Sequence, residues 1–109
     1  MSDCVVALVT VGSEEQGQQI ANALVTEQLA ACVNIVGPIT STYRWEGKVE
    51  HERELLLMIK TRAALFPAVE ARVKALHSYA LPEVIALPVS AGSEPYLEWL
   101  RGATRPPRT

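Results

Sequence analysis

Two apolar runs, Cys4-Val5-Val6-Ala7-Leu8-Val9 and Leu55-Leu56-Leu57-Met58-Ile59, stand out along the chain. Runs of this kind predict strands covered on both faces. After the first, Ser13 with Gln16 three positions on forms a capping box, and Glu14 and Glu15 suit a helix N-terminus. Ile20, Ala21, Leu24 and Val25 then recur at helical spacing to a helix end near Glu27–Leu29. Cys32-Val33-Asn34-Ile35-Val36 predicts a strand of mixed character, and the Gly37-Pro38 that interrupts it points to an edge or a bulge. Beyond the second apolar run, Phe66, Val69, Val73 and Leu76 recur at three and four, giving a second amphipathic helix with Pro67 in its first turn. Leu81-Pro82 stops that helix. Val84-Ile85-Ala86-Leu87 predicts the last strand, with Pro88 again marking an edge. Ser93 stands where it would cap a short terminal helix bearing Tyr96, Leu97, Trp99 and Leu100.

The element order is βαββαβ, the ferredoxin-like pattern of an α+β two-layer sandwich, here with a long β2-β3 hairpin and a short C-terminal helix. In that fold the first and third strands are central and the second and fourth lie at the edges. The two uniformly apolar runs are the first and third strands, and both proline-bearing strands are the second and fourth, so composition and order agree. The first and second strands are then not neighbours. A disulfide needs Cα atoms within about 7 Å, so Cys4 and Cys32 are expected to be free thiols.

The hairpin is unusual in its length. Cys32 to Ile39 leads into Tyr43-Arg44-Trp45-Glu46-Gly47-Lys48, and Val49 to Thr61 leads out, with Gly47 at the position that needs a positive φ. An arm of about a dozen residues, at roughly 3.3 Å each, spans about 40 Å, whereas a domain of this size has a radius of gyration near 13 Å. The hairpin should reach past its own core with Tyr43 and Trp45 near its tip, which calls for a partner surface.

At 109 residues, 49% hydrophobic, the chain reads as one domain over residues 1–109, with about 103–109, including Arg105-Pro106-Pro107-Arg108, as a tail without core-forming content. A net charge of -2 leaves no basic field for nucleic acid or an anionic membrane. No apolar run approaches the roughly 20 residues of a membrane span, and Met1-Ser2-Asp3 lacks the basic start of a signal peptide. Two cysteines make no disulfide framework, so a cytoplasmic setting is expected.

Several stretches together resemble the CutA divalent-cation-tolerance proteins: Leu29-Ala30-Ala31-Cys32-Val33-Asn34-Ile35, Thr40 to Lys48, Met58-Ile59-Lys60-Thr61, His77-Ser78-Tyr79, Pro82-Glu83-Val84-Ile85-Ala86-Leu87-Pro88 and Tyr96-Leu97-Glu98-Trp99-Leu100. They run in family order through almost the whole chain. The resemblance implies a homotrimer of ferredoxin-like subunits like that of PII-type signalling proteins, tied together partly by the long hairpins. It also implies a link to copper tolerance and no enzymatic activity. Metal-binding relatives carry a Cys at the position of Val9 and His at the positions of Leu76 and His77, of which this chain keeps only His77.

A thiolate suits copper, which nominates Cys32, although a free Cys on a strand is more often a small buried hydrophobe. His77 ends the second helix, where imidazole ligation of a metal competes with a role at the helix dipole. Glu83 is the third expected ligand for copper or another divalent ion. Tyr43, Trp45, Glu46, Lys48 and Tyr79 are expected at the trimer interface, where aromatics are enriched. Alternation puts Glu50, Glu52 and Glu54 on one side of their strand and His51 and Arg53 on the other. Lys48, Lys60 and Arg62 are the residues that would line an inter-subunit cleft for a small anion, the rival reading as a PII-like signalling or scaffold module. No catalytic constellation or phosphate loop is present, so no enzymatic activity is expected.

Overall fold

The structure is a computed structural model that describes residues 3–106. Its elements are β1 (Cys4–Val11), α1 (Glu14–Thr26), β2 (Cys32–Trp45), β3 (Lys48–Arg62), a 3-10 turn (Ala63–Leu65), α2 (Phe66–Leu76), β4 (Ile85–Pro88) and α3 (Glu94–Ala103). The four strands form one antiparallel sheet in the order β2-β3-β1-β4. The apolar strands are central and the proline-bearing ones are edges, as the ferredoxin-like pattern requires. Cys4 and Cys32 are not joined in a disulfide.

The core lies on one face of the sheet. Ala7, Val9 and Val11 of β1 and Leu57 and Ile59 of β3 meet Ile20 and Leu24 of α1 and Val69 and Val73 of α2. Gly17 sits on the inner side of α1, where a Cβ would stand 3.4 Å from Leu57 Cδ2 and from Val11 Cγ2, so the helix lies close on the strands. Cys4 has the opposite parity. It packs with Leu97 and Leu100, so α3 covers the start of β1 from the other face. The remainder of that face has no layer over it. Register places Val6 beside Leu87, and Leu8 beside Ile85 and Met58. It also places Leu56 beside Val36. Val36, Ile85 and Leu87 are 42%, 50% and 52% exposed. The runs that read as doubly covered strands are therefore covered on one face only within this chain.

The hairpin is longer than its apolar segments indicated. β2 does not end at Gly37-Pro38 but passes through it with a shift of register between Val36 and Ile39, and continues to Trp45. Gly37 has a φ of 156°, which L side chains rarely adopt, and a Cβ there would also crowd Leu55 and the backbone of Glu54, so the kink holds glycine. The turn shrinks to Glu46-Gly47, with φ of 51° and 80°, the two left-handed residues of a type I′ turn. Trp45 pairs with Lys48, so Tyr43, Arg44, Trp45 and Lys48 are strand residues rather than tip residues. β1 pairs with β3 only as far as Leu55. From Lys48 to Glu54 the hairpin runs on alone, roughly 23 Å at about 3.3 Å per residue. The subunit measures 44 × 26 × 24 Å with a radius of gyration of 14.4 Å.

Local chemistry departs from expectation at three points. Ser13 caps α1 by accepting from Gln16 N at 3.1 Å, but Gln16 does not close the box. Its amide instead donates to Leu76 O at 3.2 Å and accepts from Ser78 N at 2.8 Å, so it caps the end of α2. On α3 only Leu97 and Leu100 face inward, while Tyr96 and Trp99 pair outside at 5.4 Å. The first part of the expected tail is held, through Arg105. Ala103 closes α3, Thr104 is buried, and Arg105 N donates to Gln28 O at 2.8 Å. Residues 107–109 of that stretch, like Met1 and Ser2, lie outside the described residues. No helix among the described residues is long and apolar enough to cross a membrane.

Candidate functional site

Where β1 ends and the hairpin begins to overhang, an open cleft of about 760 Å³ is lined by Thr10, Tyr43, Trp45, Glu52, Glu54, Tyr79 and Glu83, among others. Its floor is the outer part of the uncovered sheet face, because Glu52 and Glu50 pair with Ser41 and Tyr43 in register and cross-strand partners share a face. Its wall is the loop after α2. That loop is fixed by His77, which caps α2 and is 9% exposed. His77 Nε2 donates to Thr10 O at 2.7 Å, and His77 Nδ1 accepts from Tyr79 N at 3.1 Å. The two rings meet with their centroids 4.5 Å apart, tilted by 50° to each other. Tyr79 then crosses the end of β1 over Gly12, where a Cβ would lie 3.0 Å from its hydroxyl. Its Oη donates to Glu54 Oε2 at 2.8 Å, and Glu54 is 7% exposed. Thr10, His77, Tyr79 and Glu54 thus form one continuous hydrogen-bonded path from β1 to β3.

The cleft is electrostatically negative. Burial, followed by the hydrogen bond and charge of Glu54, pushes Tyr79 up to about 12. Tyr43 is raised as well, through desolvation and the charges of Glu52, Glu50 and Glu54. An unperturbed tyrosine titrates near pH 10. The contribution of the Tyr79 hydroxyl to stability is therefore full below about pH 10 and is lost as pH rises toward about 12. Tyrosinate absorbance during an alkaline titration should show a phenol ionising near 12 in wild type and not in Tyr79→Phe. An unchanged curve in the variant would contradict the Tyr79–Glu54 contact.

The three expected metal ligands are not brought together. Cys32 lies at the far end of the sheet opposite Lys60, which pairs with Val6. His77 contacts Thr10, four residues along β1 and roughly 13 Å away at about 3.3 Å per residue. Glu83 lies in the cleft, apart from Cys32. Both ring nitrogens of His77 are engaged by backbone, with the proton on Nε2 and the lone pair of Nδ1 turned to Tyr79 N–H. A histidine ligates a metal through a ring lone pair, and this one has none to offer. Among the described residues no three His, Cys, Asp or Glu side chains stand where they could hold a metal ion. The donor set of the subunit does not fit a resident copper ion. Burial also pushes the Cys4 thiol up, and its packing against Leu97 and Leu100 makes it a core residue.

The basic residues expected to line an anion cleft do not share one either. Arg62 Nε donates to Thr104 Oγ1 at 2.9 Å, and its guanidinium also reaches Arg105 O, so it anchors the C-terminal segment. Lys60 is bonded to Asn34 Oδ1. Lys48, at the hairpin turn, stands twelve residues up the same strand, roughly 40 Å away at about 3.3 Å per residue. Tyr43, Trp45 and Tyr79, by contrast, do converge on the cleft and are 40%, 43% and 38% exposed, while Glu46 and Lys48 remain at the turn. Thr10 escaped the reading of the sequence, and Glu54 entered it only as one of three acids on one side of its strand, where the structure buries it. Nothing in the alternating acids of Glu50-His51-Glu52-Arg53-Glu54 marks the last as the buried one.

Comparison with known proteins supplies the family. The profile described as CutA1 divalent ion tolerance protein matches residues 5–103. The chain is 56% identical over 99 residues to the divalent-cation tolerance protein CutA of Thermus thermophilus, covering 91% of this chain and 96% of that protein. It is 49% identical over 98 residues to human Protein CutA, covering 90% of this chain but 55% of the human protein, so it spans about half of that longer relative. Among solved structures, the Thermus thermophilus divalent cation tolerance protein superposes with a TM-score of 0.92 at 54% identity, over 94% of this chain and 99% of that one. CutA from Xylella fastidiosa gives 0.93 at 41% identity, over 95% and 100%. With sheet order, hairpin and loop in accord, the chain belongs to the CutA1 divalent ion tolerance protein family.

Proposed function

We propose that the protein acts in divalent-cation tolerance as a non-enzymatic homotrimer. The observation behind this reading is the uncovered apolar sheet face formed by Val6, Leu8, Leu56, Met58, Ile85 and Leu87, flanked by a hairpin that overhangs the core. Contiguous apolar patches of more than a few hundred Å² rarely face water on a soluble protein and mark association surfaces. Their burial against other copies explains why strands covered on one face in the subunit carry the sequence of strands covered on two. The number three follows the family resemblance. Native mass spectrometry of freshly purified protein should give three times the 11.9 kDa subunit mass. A monomer at all concentrations would end this reading.

Within it, copper is met weakly, at the Cys32 thiol and exposed carboxylates such as Glu83, and not in a closed site. Calorimetric titration with copper should give a shallow isotherm, unchanged in shape by His77→Ala. A sharp stoichiometric isotherm that the substitution abolishes would restore His77 as a ligand. The same substitution should lower Tm, because it leaves Thr10 O and Tyr79 N without their partner, at a cost of about 1–3 kcal/mol for each buried group left unsatisfied. The rival reading, a PII-like cleft for a small anion, finds no support in a cleft lined by Glu52, Glu54 and Glu83.

A further inference from the structure

The overhanging hairpin has two faces of opposite charge. Register puts Glu50, Glu52 and Glu54 beside Tyr43, Ser41 and Ile39 on the face that opens into the cleft. The reverse face carries Arg53, His51 and Arg44, beside Thr40, Thr42 and Val49. Arg44, Arg53 and Glu52 are exposed. Among the described residues the ion pairs join Arg72 to Glu27, Lys74 to Glu70, and Arg101 to Asp3 and Glu94, so none involves the hairpin. One chain thus presents a basic ribbon and, on the other side of the same ribbon, an acidic cleft with aromatic walls, and among the described residues no ion pair neutralises either.

That arrangement matches the requirement of a cyclic assembly. A ring of three uses a heterologous interface, in which one surface of each subunit meets a different surface of the next, so the two must be complementary to each other and not to themselves. From this we infer that the basic face of one hairpin docks into the acidic cleft of the neighbouring subunit, with Arg53 and Arg44 facing the exposed Glu52 and Glu83 across the interface. A guanidinium suits the cleft on two counts. It pairs with carboxylates through a planar fork of donors, and Tyr43 and Trp45 offer aromatic faces for cation–π contact. The carboxylates are not gathered tightly enough to hold a metal ion, whereas a guanidinium can bridge spaced acceptors. Docking also excludes water from the cleft, which strengthens the pairs relative to exposed ones. The contact sets direction as well as affinity, since a reversed hairpin would bring acid to acid.

The inference rests on the homotrimer proposed above, and a charge exchange tests it separately. Glu52 and Arg53 are adjacent in sequence but lie on opposite faces, so Glu52→Arg and Arg53→Glu each place like charges across every interface, and the double variant restores opposite charges with no change of net charge. Sedimentation over a dilution series should show the midpoint of dissociation raised at least about tenfold in each single variant, the scale of close interfacial charge pairs, and recovered to within about threefold in the double. Circular dichroism establishes that the exposed substitutions leave the subunit folded. Single variants that assemble as tightly as wild type, or a double variant whose losses simply add, would overturn the inference while the homotrimer stands. A wild type that never assembles would remove both.

Discussion

Trp45→Ala is expected to weaken subunit association by about 2 kcal/mol or more, roughly thirtyfold, and to leave the folded subunit nearly untouched. Trp45 lies at the end of β2, beside Lys48, where the hairpin has no helix layer beneath it, and it is 43% exposed. Within the subunit it therefore has little packing to lose. In an assembly it stands at the mouth of the cleft, where a buried aromatic ranks among the side chains that dominate interface energy. Light scattering along a dilution series would read the effect directly. An association midpoint equal to wild type would contradict it.

Leu57→Ala is expected to do the reverse. Leu57 is fully buried at the centre of β3 against α1, with Gly17 close over it. Truncating a buried leucine costs about 2.7–5 kcal/mol, the transfer of the removed carbons plus the cavity they leave. The site can collapse little, since the neighbouring Val9, Val11, Ile20 and Leu24 are themselves fully buried. For a domain of about 100 residues each kcal/mol corresponds to about 4–8 °C, so Tm should fall by more than 10 °C, on the order of 15–25 °C. Thermal unfolding at one fixed protein concentration measures it. A fall of only a few degrees would mean that Leu57 does not carry the core assigned to it. The two substitutions together separate stability of association from stability of the fold.

Much of the architecture was legible because it rests on periodicity. The apolar runs of β1 and β3 placed the central strands, and Pro38 and Pro88 placed the edges, because proline cannot serve a central ladder. The hairpin was legible as length. What the runs did not reveal is that Val6, Leu8, Leu56 and Met58 have no covering layer in the subunit, since an apolar residue reads alike whether a helix or another chain will bury it.

The site was far less legible, for a different reason. His77 looked like a ligand because imidazole can be one, yet the strand carbonyl of Thr10 and the backbone of Tyr79 take both its nitrogens. Arg62 looked like an anion binder, yet it holds Thr104 and Arg105. Partners that stand 67 and 42 residues apart in sequence leave no local pattern.

The sequence by itself determined the strand order, the edges, the separation of the two cysteines and the family, because short-range spacing and a dense set of motifs encode them. The tertiary structure alone decided that Gln16 caps α2, that Glu54 is the buried acid under Tyr79, and that the acidic face of the hairpin opens into an aromatic cleft. Which donors a side chain meets depends on what the fold places within hydrogen-bonding distance, and no spacing along the chain specifies that.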